Sequence, residues 1–129
     1  MTGFKSFEDI ESWQHARRLA NEIYVISGHG KFAKDFVLRD QMRRASISVL
    51  SNIAEGFERD GNAEFVQFLS VAKGSIGEIR AQTYVALDCQ YIDQAQFERL
   101  QVRAKDISRK LAALMTYLRN SGMKGTKYK

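Results

Sequence analysis

The chemistry open to a small protein depends first on its metal-ligating and nucleophilic residues, and this chain offers few. Its 129 residues include two histidines, His15 and His29, and one cysteine, Cys89. A ferritin-like di-iron centre needs Glu-x-x-His pairs, but Ser12 and Ile26 stand three positions before the two histidines. A CxxC-type zinc cluster and an intramolecular disulfide both need more than one cysteine. The sequence therefore predicts no metal site and no cofactor.

The sequence also gives no support for nucleophilic catalysis or for a phosphate-binding loop. Cys89 has no histidine near it in sequence, and an idle or buried thiol is a commoner role for such a cysteine than a nucleophile. The run Gly74-Ser75-Ile76-Gly77 lacks the Lys-Ser/Thr pair of a phosphate-binding loop and the strand that precedes it. We expect no catalytic residues and a protein that is not an enzyme. A small-ligand or cofactor-binding bundle remains the alternative in this class.

Two polar stripes at helical spacing are the other candidates for a functional site. The first stripe is Gln41, Arg44, Ser48, Asn52 and Glu55, and the second is Val71, Ser75, Glu78 and Gln82. Beside the second stripe run the small residues Ser70, Gly74, Gly77 and Ala81. A glycine inside a helix costs about 1 kcal/mol relative to alanine. Two of them suggest that another backbone or a ligand approaches there.

Two roles stay open for these stripes. One is a hydrogen-bonded seam that fixes helix register or subunit contacts, in which Arg43 or Arg44 pairs with Glu55 or Glu78. The other is a ligand or RNA site that uses the same groups. The residues assigned to the seam are Arg43, Arg44, Ser48, Asn52, Glu55, Gly56, Gly74, Ser75 and Glu78.

Basic residues are concentrated in the last quarter of the chain. The formal net charge is +5, yet residues 99–129 carry nine Lys or Arg and a single acid, whereas residues 1–98 are net acidic. Such a run is either a solvated helix face with a lysine-rich tail or an anion-binding surface. For the second alternative, the candidate contacts with RNA or DNA are Arg99, Arg103, Lys105, Arg109 and Lys110.

The sequence predicts neither membrane insertion nor export. No segment reaches the roughly 18 consecutive apolar residues of a membrane-spanning helix, and the first residues lack the apolar run of a signal peptide. Because a single cysteine is also compatible with a reducing compartment, we expect a soluble, cytoplasmic protein without a membrane partner.

Four helices must position these residues. The chain contains no proline, although roughly six are usual at this length, and no run of residues alternates with period two as a strand would. Apolar spacings of three and four predict helices over about residues 7–27, 36–55, 62–90 and 94–121. The ends of these helices are expected at particular residues: Ser6, Asp35 and Asn62 as N-caps, Asp93 with Gln96 as a capping box, and Gly56 and Gly122 as C-terminal ends.

These helices predict an all-α, antiparallel up-down-up-down four-helix bundle, because their apolar stripes are heptad-like and their connections are short. We place it as one domain over residues 1–122, followed by a disordered basic tail over 123–129. In the second helix, Ile47, Leu50 and Ala54 lie off the inner apolar stripe. A helix that is apolar on more than one face is buried on more than one side, so we assign these three residues to a subunit interface.

The polar stripes also carry a resemblance to a known family. The run from Gln41 to Gly56, QMRRASISVLSNIAEG, resembles the signature of the four-helix bundle family of 23S rRNA-intervening sequence proteins. The resemblance covers roughly residues 4–120. Further matching residues are Phe7, Trp13-Gln14 and Ala16 at the start, the run Glu64 to Leu69, the run Ala72 to Ser75, and Glu78.

This resemblance implies fold and assembly more than activity. Members of the family are homopentamers, and no enzymatic activity is established for them. Some are encoded within intervening sequences of large-subunit ribosomal RNA genes, and related bundles are accessory proteins of diversity-generating reverse transcriptases, where basic pentamers contact RNA and protein. The resemblance therefore implies a non-enzymatic, homopentameric binding or scaffold protein. Its partners would be itself, RNA or DNA, or a protein such as a reverse transcriptase.

Overall fold

The computed structural model describes residues 3–121, which form four α-helices. The helices are α1 (Glu11–Ile26), α2 (Phe36–Glu58), α3 (Asn62–Asp88) and α4 (Gln94–Ser121). Short 3-10 helices precede α1 and α2, at Phe7–Asp9 and Phe32–Lys34. Residues 3–121 contain no β-strand, so the predicted all-α architecture is confirmed. The predicted disordered tail, 123–129, lies outside the described residues.

Neighbouring helices run antiparallel, because residue numbers fall along one helix as they rise along its neighbour. The contacts that show this are Glu22–Arg99 and Glu11–Lys110 between α1 and α4, Ser48–Ser75 and Gly56–Phe65 between α2 and α3, and Arg80–Gln101 and Asn62–Leu118 between α3 and α4. The helices therefore follow one another up, down, up and down, and α1 closes the bundle against α4. This is the predicted topology.

Apolar side chains at heptad-like spacing fill the space between the helices. Met42 and Ile53 of α2, Phe65 and Ile79 of α3, and Leu111 of α4 are all completely buried. Burying one such side chain contributes about 1.5–3 kcal/mol. The same spacing that predicts the helices therefore also orients them around one core.

Two predicted N-terminal caps are confirmed. The Asp35 carboxylate accepts a hydrogen bond from the backbone N–H of Leu38 at 3.1 Å. At α4, the N–H of Asp93 donates to Gln96 Oε1 at 2.8 Å and the N–H of Gln96 donates to Asp93 Oδ1 at 2.7 Å. These bonds satisfy amide groups that the first turn of a helix leaves without an internal partner.

The first predicted helix is divided. Ile10 adopts an extended conformation, with φ −78° and ψ 121°, between the short 3-10 helix and α1. The Asp9 carboxylate accepts hydrogen bonds from the backbone N–H groups of Lys5 and Ser6, so the predicted cap region closes a short turn instead of opening α1. The continuous helix predicted from residue 7 is therefore wrong.

The predicted Asn62 cap is also wrong. Asn62 is the first residue of α3, and Gly61, with φ +88°, is the N-cap, a conformation that favours glycine. The buried Asn62 side chain donates instead to the backbone carbonyl of Leu118 at 3.2 Å. It therefore ties the start of α3 to the end of α4.

Tyr91 joins the two loops at one end of the bundle. Its ring stacks on the buried Phe32 ring, with centroids 5.2 Å apart, and its hydroxyl donates to Asp35 Oδ2 at 2.9 Å. This hydrogen bond raises the pKa of Tyr91 above 10.0, because it stabilises the protonated phenol. Asp35 thus caps α2 with one carboxylate oxygen and holds the loop between α3 and α4 with the other.

Candidate functional site

Three of the nine residues assigned to the polar seam, Ser48, Asn52 and Ser75, form hydrogen bonds where α2 meets α3. Ser75 donates from Oγ to Ser48 Oγ at 2.9 Å, while the Asn52 amide donates to the Ser48 carbonyl at 2.8 Å and to its hydroxyl at 3.0 Å. Ser75 is buried, and Ser48 and Asn52 are half-buried. Satisfied polar networks in a low-dielectric contact specify a unique arrangement, so these bonds fix the register of α2 against α3.

Gly56 marks a close approach between the same two helices. It is buried within α2, and a Cβ atom there would lie 2.7 Å from Phe68 Cβ and 2.9 Å from Phe65 Cδ1. The prediction that Gly56 ends the helix is wrong, since α2 continues to Glu58. Glycine is needed here because a second helix lies against it, a recognised use of the residue.

The ion pairs predicted for the seam do not form. Arg43 extends toward α1, where Nε donates to Ser27 Oγ at 2.8 Å and Nη2 donates to the Tyr24 carbonyl at 3.1 Å. Its guanidinium also lies 4.5 Å from the centroid of the Tyr24 ring. Ser27 is the C-cap of α1, and a cation near a helix C-terminus is stabilised by the helix dipole. Arg43 therefore secures the end of α1.

The remaining charged members of the seam lie on the surface. Glu55 pairs with Arg59, the C-cap residue of α2, at 2.9 Å, and this hydrogen bond raises the pKa of Arg59. Arg44 and Glu78 are exposed and form no ion pair within residues 3–121. The seam therefore has neutral hydroxyl and amide groups inside and its charges outside.

The small-residue stripe lies on the outer face of α3. Gly74 and Gly77 are exposed, and a Cβ atom at either position would meet nothing within 4 Å. Within the described residues, nothing makes the close approach that was predicted at these glycines. The outer face of α3 also exposes Ser70, Val71, Ala81, Tyr84 and Val85.

The three residues of α2 predicted to form a subunit interface are less exposed to a partner than the outer face of α3. Ile47 is 41% exposed, but Leu50 and Ala54 are half-buried. Leu50 already packs against the core of the bundle. Ile47 is therefore the main apolar group that this set offers to a partner.

Two of the predicted nucleic-acid contacts on α4 are paired with an acid of α1. The Nε atoms of Arg99 and Arg103 lie 2.6 Å and 3.2 Å from the Glu22 carboxylate. The Glu22 side chain is only 17% exposed, so this group is held between the helices. Hydrogen bonds to charged groups contribute more than neutral ones, and Glu22 therefore helps to hold α1 on α4.

A second group of charges joins the other halves of the same helices. Lys110 lies 3.5 Å from Glu11 and 3.8 Å from Asp106, and His15 lies 3.9 Å from each of the two carboxylates. Exposed ion pairs of this kind contribute about 0–1 kcal/mol each. The half-buried His15 therefore belongs to a charged cluster at the α1–α4 contact.

The other two basic residues predicted to bind nucleic acid form no ion pair with α1. Arg109 is 71% exposed and approaches only Asp106, three residues earlier on α4, at 3.8 Å. Lys105 is exposed and has no ion pair within the described residues. The five basic residues are thus on one helix, but α1 compensates three of them and leaves two open to solvent.

Residues 3–121 bring together no cluster of potential metal ligands. No group of three or more His, Cys, Asp or Glu among them is placed to hold a metal ion. Cys89 is exposed at the end of α3. The exposed His29 lines an open cavity of about 390 Å³ together with Lys31, Tyr91 and Gln96, which offers no second histidine, cysteine or carboxylate ligand.

A second polar contact between α3 and α4, besides that of Asn62, was not predicted. Gln101 is buried, donates to the Arg80 carbonyl at 2.9 Å and to the Thr83 hydroxyl, and accepts from Arg80 Nε at 3.2 Å. The signal available in the sequence is a glutamine that directly follows Leu100 in an apolar stripe. It fixes α4 against α3 as Ser48 and Ser75 fix α3 against α2.

Comparison with known proteins identifies one family. The sequence model of the 23S rRNA-intervening sequence proteins matches residues 8–113. A crystal structure of a protein of unknown function from the S23 ribosomal protein family of Bacteroides thetaiotaomicron has a TM-score of 0.74 and 21% sequence identity, covering 81% of this chain and 97% of that chain. At this identity, the likeness concerns the fold alone. No curated protein matches the chain in sequence.

Among the described helices, none combines the length and apolar character needed to span a membrane.

The close packing at Gly56 is testable by one substitution. We expect Gly56→Ala to lower the free energy of unfolding by about 1–3 kcal/mol, the usual cost of overpacking, because its Cβ would meet Phe68 and Phe65. Urea denaturation gives the difference. The control is Ser51→Ala, which places alanine on the exposed side of α2 and should change the value by less than about 0.5 kcal/mol. Equal effects of the two substitutions would contradict the close approach.

Proposed function

The chain belongs to the 23S rRNA-intervening sequence protein family, and on that premise we propose that it is a non-enzymatic binding or scaffold protein that works as a homo-oligomer. The oligomer implied by the family resemblance is a pentamer. The outer face of α3 supports self-association most directly. It is defined here as Ser70, Val71, Gly74, Gly77, Ala81, Tyr84 and Val85.

This face is exposed and mainly apolar, and the exposed Glu78 lies beside it, seven residues from both Val71 and Val85. Val71, Tyr84 and Val85 are each about half exposed, and none of them belongs to the buried core of the bundle. The helix that carries the face has 27 residues, which span about 40 Å. A helix that is apolar on its outer as well as its inner side is typical of one that is buried on both.

A second copy of the chain is the partner that fits such a face. The residues that define the face include no Lys or Arg to bind a nucleic-acid phosphate, and interface centres are depleted in charged residues. The small side chains leave the surface flat enough for another helix to approach. Ile47 on α2 is the competing site, but it stands beside two residues that are already half-buried.

Light scattering coupled to size-exclusion chromatography tests this proposal. We expect the wild-type chain to elute as an oligomer at micromolar concentration, and Ala81→Glu to shift it toward the monomer, because the carboxylate would be buried without a partner. The matched control is Val102→Glu, which adds the same charge at an exposed position of α4 and should leave the oligomer intact.

Three results would decide against the proposal or its chosen face. A wild-type monomer would exclude self-association. An oligomer that Ile47→Glu dissociates and Ala81→Glu does not would place the interface on α2. An equal response to Ala81→Glu and Val102→Glu would show a general effect of charge.

Contact with RNA or DNA through α4 is the second candidate function. It is favoured by the exposure of Lys105 and Arg109, which α1 does not compensate. Arg99 and Arg103 keep 47% and 43% of their side chains exposed beside Glu22, so a phosphate backbone could still reach them. Their pairing with Glu22 lowers the net charge that this surface presents.

Salt-dependent binding of a single-stranded RNA oligonucleotide tests the second candidate. Neutralising Lys105 and Arg109 together (Lys105→Gln, Arg109→Gln) should weaken binding and reduce the slope of log affinity against log salt by about one for each phosphate that the protein no longer neutralises. Lys31→Gln with Lys34→Gln removes the same charge from the loop before α2. If both pairs of substitutions weaken binding equally, α4 is not the contact surface.

A further inference from the structure

Two exposed helix faces of the bundle carry opposite charges that have no counter-ion within residues 3–121. Glu78 lies beside the outer face of α3, and Arg44 lies on the outer face of α2. We infer that copies of the chain join head-to-tail: the outer face of α2 in one copy docks on the outer face of α3 in the next, and Arg44 binds Glu78 across the contact. This inference rests on the self-association proposed above, and in it α2 and α3 supply the two halves of one contact.

The outer face of α2 consists of exposed residues that recur every three or four positions. It is defined here as Val37, Asp40, Gln41, Arg44, Ile47 and Ser51. Val37 and Ile47 are 73% and 41% exposed, so the bundle leaves two apolar side chains uncovered on this face. Asp40 is paired with Arg39 at 2.8 Å. Arg44 is therefore the charged side chain of this face that lacks a counter-ion in the described part of the chain.

The charges favour a contact between the two faces over a contact of either face with itself. Two α3 faces packed symmetrically would bring the Glu78 carboxylates of two copies together, and two α2 faces would bring two Arg44 guanidinium groups together. Like charges that oppose each other across an interface select against such pairings. The α2 face on the α3 face instead sets a guanidinium against a carboxylate, a pair that can form two parallel hydrogen bonds.

The apolar residues of the two faces match in the same arrangement. Val37 lies seven residues before Arg44, while Val71 and Val85 lie seven residues before and after Glu78. Residues seven apart lie on nearly the same line of a helix, about 10 Å from each other. With Arg44 opposite Glu78, Val37 reaches the level of Val71 or Val85, whichever way the two helices run. Apolar contacts around the ion pair would exclude water from it, as they do around the strongest contacts of stable interfaces.

An ion pair within one copy is the alternative to a pair between copies. The hydrogen bond from Ser75 to Ser48 places Arg44 and Glu78 at similar levels on neighbouring helices, because they lie four residues before Ser48 and three after Ser75. The two charged groups nevertheless form no ion pair with each other in the described structure. The test must therefore separate a pair between copies from a pair inside one copy.

Charge reversal, followed by light scattering on the full-length protein, measures the contribution of the pair. Arg44→Glu should oppose two carboxylates across the contact, and Glu78→Arg should oppose two guanidinium groups. Each substitution should raise the protein concentration at half-assembly at least about tenfold. Because both positions are exposed, circular dichroism should show an unchanged helix content. The matched control is Arg18→Glu, which reverses an exposed charge of α1 that also lacks an ion pair within residues 3–121, and it should leave assembly unchanged.

An equimolar mixture of the two variants distinguishes a pair between copies from a pair inside one copy. Where a copy with Arg44→Glu meets a copy with Glu78→Arg, unlike charges face each other again. The mixture should therefore form species larger than either variant alone. If the pair lies inside one copy, each chain keeps its own two like charges, and mixing restores nothing.

The head-to-tail contact is excluded if neither reversal weakens assembly of a wild-type oligomer, if Arg18→Glu weakens it equally, or if the mixture is no larger than its parts. In each of these cases self-association itself stands. A wild-type monomer would instead remove the proposed function, and this inference with it.

Discussion

The close contact between α2 and α3 is the constraint on which the rest of the structure depends. At Gly56 the two helices are too close for any side chain larger than hydrogen, and the hydrogen bond between Ser48 and Ser75 fixes how far one helix can slide along the other. Because interiors are close-packed, this distance also determines where the large side chains of both helices meet. The polar seam is therefore a register device inside a hydrophobic contact, and the glycine in the family signature is explained by packing.

Helix α1 is held by a different kind of interaction. Arg43 secures its C-terminus, and Glu22 lies between two arginines of α4. These polar contacts supplement four buried apolar side chains of α1, whereas each of the other three helices buries six. They also redistribute charge, because the acids of α1 compensate the basic helix that sequence reasoning assigned to nucleic acid. Of the five predicted nucleic-acid contacts, Lys105 and Arg109 are then the two that α1 leaves uncompensated. The charge that a surface presents thus depends on its neighbours, and a count along one helix does not reveal it.

The sequence was sufficient for the fold because heptad-like spacing determines both helix formation and orientation. It was also sufficient for the caps at Asp35 and Asp93, where a side chain bonds to the backbone three residues away. The sequence did not reveal the role of Gly56, because glycine is favoured both where two helices approach closely and where a helix ends. Only the position of the neighbouring helix distinguishes these two cases. The sequence failed likewise for Arg43, whose partners are 16 and 19 residues away on another helix. Local patterns predict local bonds, whereas long side chains reach partners that depend on how the helices pack.

Native-state hydrogen exchange can decide whether the α2–α3 contact is the most stable part of the bundle, because it measures the opening free energy of each helix separately. We expect backbone amides of α2 and α3 near Ser48, Gly56 and Ser75 to exchange only through global unfolding. Amides of α1 should exchange through an opening of lower free energy, which falls further at high salt because screening weakens ion pairs. Protection of α1 equal to that of α2 and α3 at every salt concentration, or earlier exchange near Gly56, would contradict the central role of this contact.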